Sequence, residues 1–522
     1  MQELRFEELT TRQKLGMVFT GCFGNAEEGN DFVYELVKQR CLGAVWVYVG
    51  NPSAPAIIKK VKEIADYPIL ILTDAEAGLG EYKIGKQSAL GCTGRESDAY
   101  AFGKITASIA SRIGYNVVCS PVIDMAEGNP RSLGVNKEKV ASMAIAQTRG
   151  MHDGGVLSVA KHYPGARMDT MKDTHLTEAV SYETEESLLD YALYPYLKLM
   201  EQGLLDGIMT GHKRLGKIDP DHPTSLSKAV IDVIRKQGFK GFAITDALCM
   251  MSVRANFDDV TSKGLAVSAG NDLLLPEALD AKESFDCLCE AYDRGMIPDD
   301  VLDAAVKRVL AAQHKVTLLP QNVEPTDEEK AAVKSINKNC IYTITDEGLA
   351  PNISPEGRHF IVMMVRNGTK LDNGGDLPVP PVDTFTTNWL NPRRIYEKLA
   401  ANFPNSQIMA IDEYPMPVPI YQVMRDSLPY DDVVFVAFTD YAAYILPPEF
   451  SYRMRNLINA LQGNNRIAAM VYTGSTKALE ALEHIPRYII GCQDEQCIDA
   501  CIDVLAGKYP AKGVPTYTAN LK

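Results

Sequence analysis

The segment Lys161-His-Tyr-Pro-Gly-Ala-Arg-Met-Asp-Thr-Met-Lys-Asp-Thr-His175 holds the densest set of side chains able to do chemistry. Asp173 and His175 stand two apart, close enough for the carboxylate to hold one imidazole nitrogen. An acid in that place fixes the tautomer and raises the basicity of the other nitrogen, giving a proton donor and acceptor suited to neutral pH. A merely solvated loop histidine shows the same spacing, so the pattern alone leaves both readings open. Asp246 ends the apolar run Phe242-Ala-Ile-Thr-Asp246. A carboxylate held rigidly after a buried strand suits a nucleophile or a stabiliser of an oxocarbenium-like transition state. The same position suits a helix N-cap. His212 and Asp74 carry the same pair of readings. Arg131, within Gly128-Asn-Pro-Arg-Ser-Leu-Gly134, either clamps a polar ligand or pairs at the surface.

The elements that must position these residues follow one pattern. Strand-type apolar runs at 42–49, 69–74, 115–124, 156–162, 207–212, 242–246 and 271–275 are separated by amphipathic helical stretches. Parallel neighbours need such crossovers, and closing the sheet removes its edges, so the pattern predicts an α/β fold of (β/α)8 type, a TIM barrel. Asp74, Asp124, Lys161, His162, His212 and Asp246 all fall at or just past the C-terminal ends of these runs. In a barrel those ends converge on the face that carries the active site.

After His314 the pattern changes. A polar, proline-punctuated stretch leads to Thr326-Asp-Glu-Glu, which reads as an N-cap with acids in the first helical turn. Further strand-type runs begin at Phe360, Val433, Ile467 and Tyr488, with helical stretches between them, and predict a second α/β sandwich domain. The expected organisation is therefore a catalytic barrel over 1–318, a linker and helix over 319–345, and a sandwich over 346–522. The proline-rich pieces around Pro378 and Pro415 read as loops. No short repeat, low-complexity tract or glycine-rich dinucleotide fingerprint occurs.

Composition narrows the function classes. The 522 residues are 46% hydrophobic and 23% charged, typical of globular chains and unlike disordered or coiled-coil ones. With 53 basic and 67 acidic side chains the net charge is −14, which argues against a nucleic-acid or anionic-membrane binder. No basic segment followed by an apolar one opens the chain, and no run is long enough to span a membrane. The 11 cysteines show no C-x-x-C metal pair. Buried free thiols in a reducing compartment fit that usage, so the expected location is cytoplasmic.

Taken in order, these segments resemble glycoside hydrolase family three, and within it the β-N-acetylglucosaminidase branch. That branch carries a K-H-F-P-G…D-[ST]-H loop, matched by Lys161-His-Tyr-Pro-Gly165 through Asp173-Thr-His175. Its strand-borne aspartate, in a context like F-S-D-D-L-x-M, is matched by Ile244-Thr-Asp246-Ala-Leu-Cys-Met250. Pro130-Arg131-Ser-Leu-Gly134, Thr73-Asp74-Ala-Glu76-Ala-Gly78 and the opening Leu9-Thr-Thr-Arg-Gln-Lys-Leu-Gly-Met match further pieces.

The resemblance implies a retaining exo-β-N-acetylhexosaminidase. Asp246 would be the nucleophile, and His175, oriented by Asp173, the acid and base. Asp74, Arg131, Lys161, His162 and His212 would hold the sugar through charge-assisted hydrogen bonds. It implies no metal and no organic cofactor, and a small carbohydrate as substrate. A neutral imidazole base tolerates an anionic acceptor, so phosphate competes with water in this reading. The chain departs from the family where P-G-H-G-D-T becomes Pro164-Gly-Ala-Arg-Met-Asp-Thr170, where the arginine of D-Q-E-G-G-R is missing after Asp74, and at Ala247. A β-glucosidase or xylosidase of the same family and a catalytically silent sugar-binding protein are the alternatives. The second domain's open roles are buttressing the barrel, closing over substrate and pairing two copies as a homodimer.

Overall fold

The computed structural model describes residues 3–23, 31–165, 172–276, 280–365, 391–439, 449–517 and 521. Seven strands lie side by side in chain order: β1 (Thr20–Phe23), β2 (Ala44–Val47), β3 (Leu70–Thr73), β4 (Val117–Val118), β5 (Leu157–Tyr163), β7 (Gly207–Thr210) and β9 (Phe242–Thr245). Every neighbouring pair is parallel. The short β6 (Val180–Ser181) and β8 (Arg214–Leu215) form a separate parallel pair. Isolated bridges join Ile244 to Leu273 and Phe19 to Leu274, so residues 273–274 carry the curled sheet from its last strand back to its first. This is a TIM-barrel-like α/β fold.

Side-chain alternation explains why the strands read as unbroken apolar runs. Ala44, Leu70, Leu72, Val117, Leu157, Val159, Phe242, Ile244 and Leu273 pack in one core cluster. Their chain neighbours Val45, Val47, Ile69, Ile71, Val118 and Leu274 pack in another, with helical residues such as Ile57, Ile58, Val61 and Val306. A strand buried on both faces has no polar face to display. The covering helices are cut at defined points: Asn136 caps Lys137–Asp153 and Ser227 caps Lys228–Lys236 through side-chain oxygens.

Two differences from the expected strands have plain causes. β1 falls in a stretch with no strand-type pattern, since Thr-Gly-Cys-Phe is four residues long and contains glycine and no β-branched aliphatic residue. The run 115–124 yields only Val117–Val118 plus a bridge from Val122 to Lys161, because Pro121 has no N–H for the ladder.

The chain divides into two compact units: 1–83, 95–126 and 136–333 form one, and 84–94, 127–135 and 334–522 the other. In the second unit six strands, β10 (Tyr342–Thr345), β11 (His359–Val365), β12 (Gln407–Asp412), β13 (Asp432–Phe438), β14 (Ile467–Thr473) and β15 (Arg487–Gly491), form one sheet. Their order is β10-β15-β14-β13-β11-β12, with only β10 antiparallel to its neighbour. The helix Asp327–Asn339 opens on the expected box: Thr326 Oγ1 accepts from the Glu329 amide at 3.2 Å, and Glu329 accepts from the Thr326 amide at 2.7 Å. The stretch around Pro378 and residues 166–171 of the histidine-bearing loop lie outside the described residues. Among the described residues no helix is long and apolar enough to cross a membrane.

Candidate active site

Parallel strands deliver their C-terminal residues to one end of the first unit. Lys161, on β5, is 1% exposed, and its ammonium bonds to Asp74 Oδ1 just past β3 and to Glu76 Oε1 at 2.7 Å. A buried ammonium requires such partners, because an unpaired charge away from water is costly. Asp74 keeps 40% of its side chain exposed, so this carboxylate joins the buried lysine to open solvent.

His162 follows Lys161. Asp124 grips it twice, accepting the His162 amide at Oδ1 (3.2 Å) and the ring Nδ1 at Oδ2 (2.7 Å). A carboxylate only accepts, so Nδ1 carries a proton and Nε2 is turned to Asp246, 3.9 Å from Oδ2. The sequence places Asp124 and Glu76 near strand ends, yet nothing in it pairs them with His162 and Lys161.

Asp246 is the residue after β9. Its amide donates to Thr210 O at 2.9 Å, and its Oδ1 accepts the Ala247 amide at 2.8 Å. The next helix, Met251–Arg254, has Met250 at its N-cap, so Asp246 does not cap it. Burial pushes this carboxyl up, but His162, His212, the Ala247 amide and Lys161 outweigh it and leave the pKa below its ordinary value. Cys119 registers the same charges: burial drives its thiol well up, Asp74, Asp246 and Glu76 push it further, and Lys161 opposes them.

His212 is 2% exposed and both ring nitrogens meet protein groups: Nε2 donates to Ala247 O at 2.9 Å and Nδ1 is hydrogen-bonded to Ser225 Oγ at 2.7 Å. Burial lowers its pKa. Both ring nitrogens are thus bonded within the protein, and the ring braces the turn that presents Asp246.

Asp173 Oδ1 accepts both the amide (2.9 Å) and Nδ1 (2.7 Å) of His175. The loop is tied to the segment after Asp246, since Thr174 O accepts from the Ser252 amide at 3.2 Å and His175 O from the Met251 amide at 3.3 Å. Further on, the β6–β8 pair fastens the chain beside His212. Arg131 lies in 127–135, which packs with the second unit, and its amide donates to Asn129 Oδ1. Among the described residues no group of three or more His, Cys, Asp or Glu is placed to hold a metal.

The model of the glycosyl hydrolase family 3 N-terminal domain matches residues 16–312, more than half of the chain. The chain belongs to this family. As a glycosyl hydrolase family 3 enzyme it is 31% identical over 247 residues to a β-hexosaminidase of Hydrogenovibrio crunogenus, covering 44% of this chain and 68% of that one. The family 3 β-N-acetylglucosaminidase of a Paenibacillus species shares its fold, with TM-score 0.76 and 24% identity over 98% of this chain and 99% of the other. A β-glucoside phosphorylase solved with 2FGlc shares it too, with TM-score 0.80 and 22% identity over 99% and 95%.

Proposed function

We propose that this family 3 glycosidase is a retaining exo-β-N-acetylhexosaminidase that removes terminal N-acetylglucosamine. The observation that carries the reading is Asp246 held on the turn after β9, 3.9 Å from His162 Nε2, with the Asp173–His175 pair fastened to the segment that follows it. In the first step the Asp246 carboxylate attacks the anomeric carbon, the glycosidic C–O bond breaks, and His175 gives its Nε2 proton to the departing oxygen. In the second step a water or phosphate oxygen attacks the same carbon, the ester to Asp246 breaks, and His175 takes back the proton. Asp173 holds Nδ1–H throughout, which reserves Nε2 for the proton. Lys161, Asp74 and Glu76 present charged partners, and His162 a ring nitrogen, for the sugar hydroxyls beside Asp246.

Aryl N-acetyl-β-glucosaminide and aryl β-glucoside, assayed in parallel with and without inorganic phosphate, test the proposal. Preference for the N-acetylated sugar is expected, and a clear preference for the glucoside overturns it. Product analysis decides the acceptor: a sugar 1-phosphate that appears only with phosphate identifies phosphorolysis.

A further inference from the structure

The glycosidase chemistry uses no sulfur, yet three thiols converge in the second unit. Cys340 follows the helix Asp327–Asn339, Cys492 follows β15, and Cys497 lies in the first turn of the helix Glu495–Leu505. Cys340 and Cys497 stand 3.6 Å apart, sulfur to sulfur, and both donate to Asn337 O, at 3.2 and 3.0 Å. Ser88 Oγ lies 3.4 Å from Cys492 Sγ. All three cysteines are unbridged.

Their exposures differ in a useful order. Cys492 is 8% exposed, Cys340 1% and Cys497 0%. Cys492 and Cys340 both line a cavity of about 30 Å³ with Ser88, Cys92 and Thr516, a lining that does not include Cys497. The Cys340 and Cys497 sulfurs beside it, with Ser88 and the charge of Lys86, draw the Cys492 thiol well below its ordinary range against burial. Burial and the sulfur contacts push Cys340 and Cys497 up. Buried cysteines packed only as small apolar groups have no such polar neighbours around one sulfur and no cavity in front of it. The three sulfurs are not arranged to hold a metal either.

We propose that Cys492 and Cys340 form a hydroperoxide-reactive dithiol site in the second unit, with Cys492 as the attacking sulfur and Cys340 as the resolving one. The Cys492 thiolate attacks the outer oxygen of a hydroperoxide, the O–O bond breaks, and the released alkoxide or hydroxide takes a proton to become alcohol or water. Cys340 then attacks the sulfenic sulfur, the S–O bond breaks, and hydroxide leaves as water with the Cys340 proton. Two thiols and one hydroperoxide give one disulfide, one alcohol or water, and one further water. The two electrons come from the sulfurs.

The test uses the full chain, reduced, freed of reductant and treated with one equivalent of hydrogen peroxide at neutral pH. Blocking with N-ethylmaleimide under denaturing conditions, followed by peptide mapping, reads the result. Nine of the 11 cysteines are expected to be alkylated and one Cys340–Cys492 cross-link found. In Cys340→Ser, dimedone is expected to trap a sulfenic acid on Cys492. In Ser88→Ala, which removes one hydrogen bond, peroxide consumption by Cys492 is expected to slow several-fold with the cross-link unchanged. Oxidation that begins at the more exposed Cys249, Cys287 or Cys289 while Cys492 stays alkylated overturns the proposal, as does a Cys340–Cys497 cross-link with Cys492 alkylated.

Discussion

Replacing His162 by glutamine tests the electrostatics of the site directly. The ring Nε2 stands 3.9 Å from Asp246 Oδ2. Two unit charges at that separation interact by about 4 kcal/mol at an effective permittivity near 20. Asp124 draws on the same ring from the other nitrogen, and both His162 and Asp246 keep some solvent contact. Half of the interaction, about 2 kcal/mol, is the reasonable share, equivalent to about 1.5 pH units. The sign follows from Asp246, whose pKa the surrounding cations depress. Without the ring that pKa rises, the attacking carboxylate stays protonated over a wider acidic range, and the acid limb of kcat/KM moves up by about 1.5 pH units. Above that limb the variant loses only its sugar contacts. The assay is kcat/KM for an aryl N-acetylglucosaminide between pH 4 and 9 at constant ionic strength. An acid limb that stays in place while KM alone rises refutes the reasoning and reduces His162 to a sugar ligand.

Asp246→Ala is expected to cost several orders of magnitude in kcat; a wild-type-like rate on a good substrate contradicts the nucleophile. His175→Ala is expected to lose about 10²–10⁴-fold with alkyl or sugar leaving groups and far less with activated phenolates. A loss independent of leaving group shows that His175 does not move the proton. Asp272 is fully buried between Arg235 at 2.7 Å and Arg308 at 2.8 Å. Asp272→Ala leaves two guanidinium groups without their partner and is expected to destabilise the fold by about 3–5 kcal/mol. An unchanged urea midpoint counts against that pairing.

Much of the barrel and of the candidate site is legible in the sequence, because strands buried on both faces betray themselves as apolar runs and polar residues at their ends stand out. Asp74, Lys161, His162 and Asp246 are visible for that reason. β1 is not, since Thr20–Phe23 owes its place to its pairing with β2 and the bond from the Thr20 amide to Leu274 O rather than to its own propensity. Asp124 and Glu76 show a second limit. Their types and positions are readable, but the pairings Asp124–His162 and Glu76–Lys161 exist only once separate strands lie side by side. His212 shows a third, because its bonds to Ser225 and Ala247 O join segments that no local pattern brings together. Residues 84–94 and 127–135 sit inside the barrel's repeat yet pack with the second unit, which no local pattern reveals.

The closure through residues 273–274 sets a timetable for synthesis. Next to it, Cys22 Sγ donates to Pro276 O at 3.5 Å across 254 residues of chain. At translation rates of about 5–20 residues per second, the first strand waits roughly 13–50 s on the ribosome before its final neighbour exists. During that interval β1 has β2 on one side and an unfilled row of amides and carbonyls on the other. A nascent chain halted short of that neighbour offers a strand edge to other chains, so truncations just before residue 273 are the ones most exposed to aggregation.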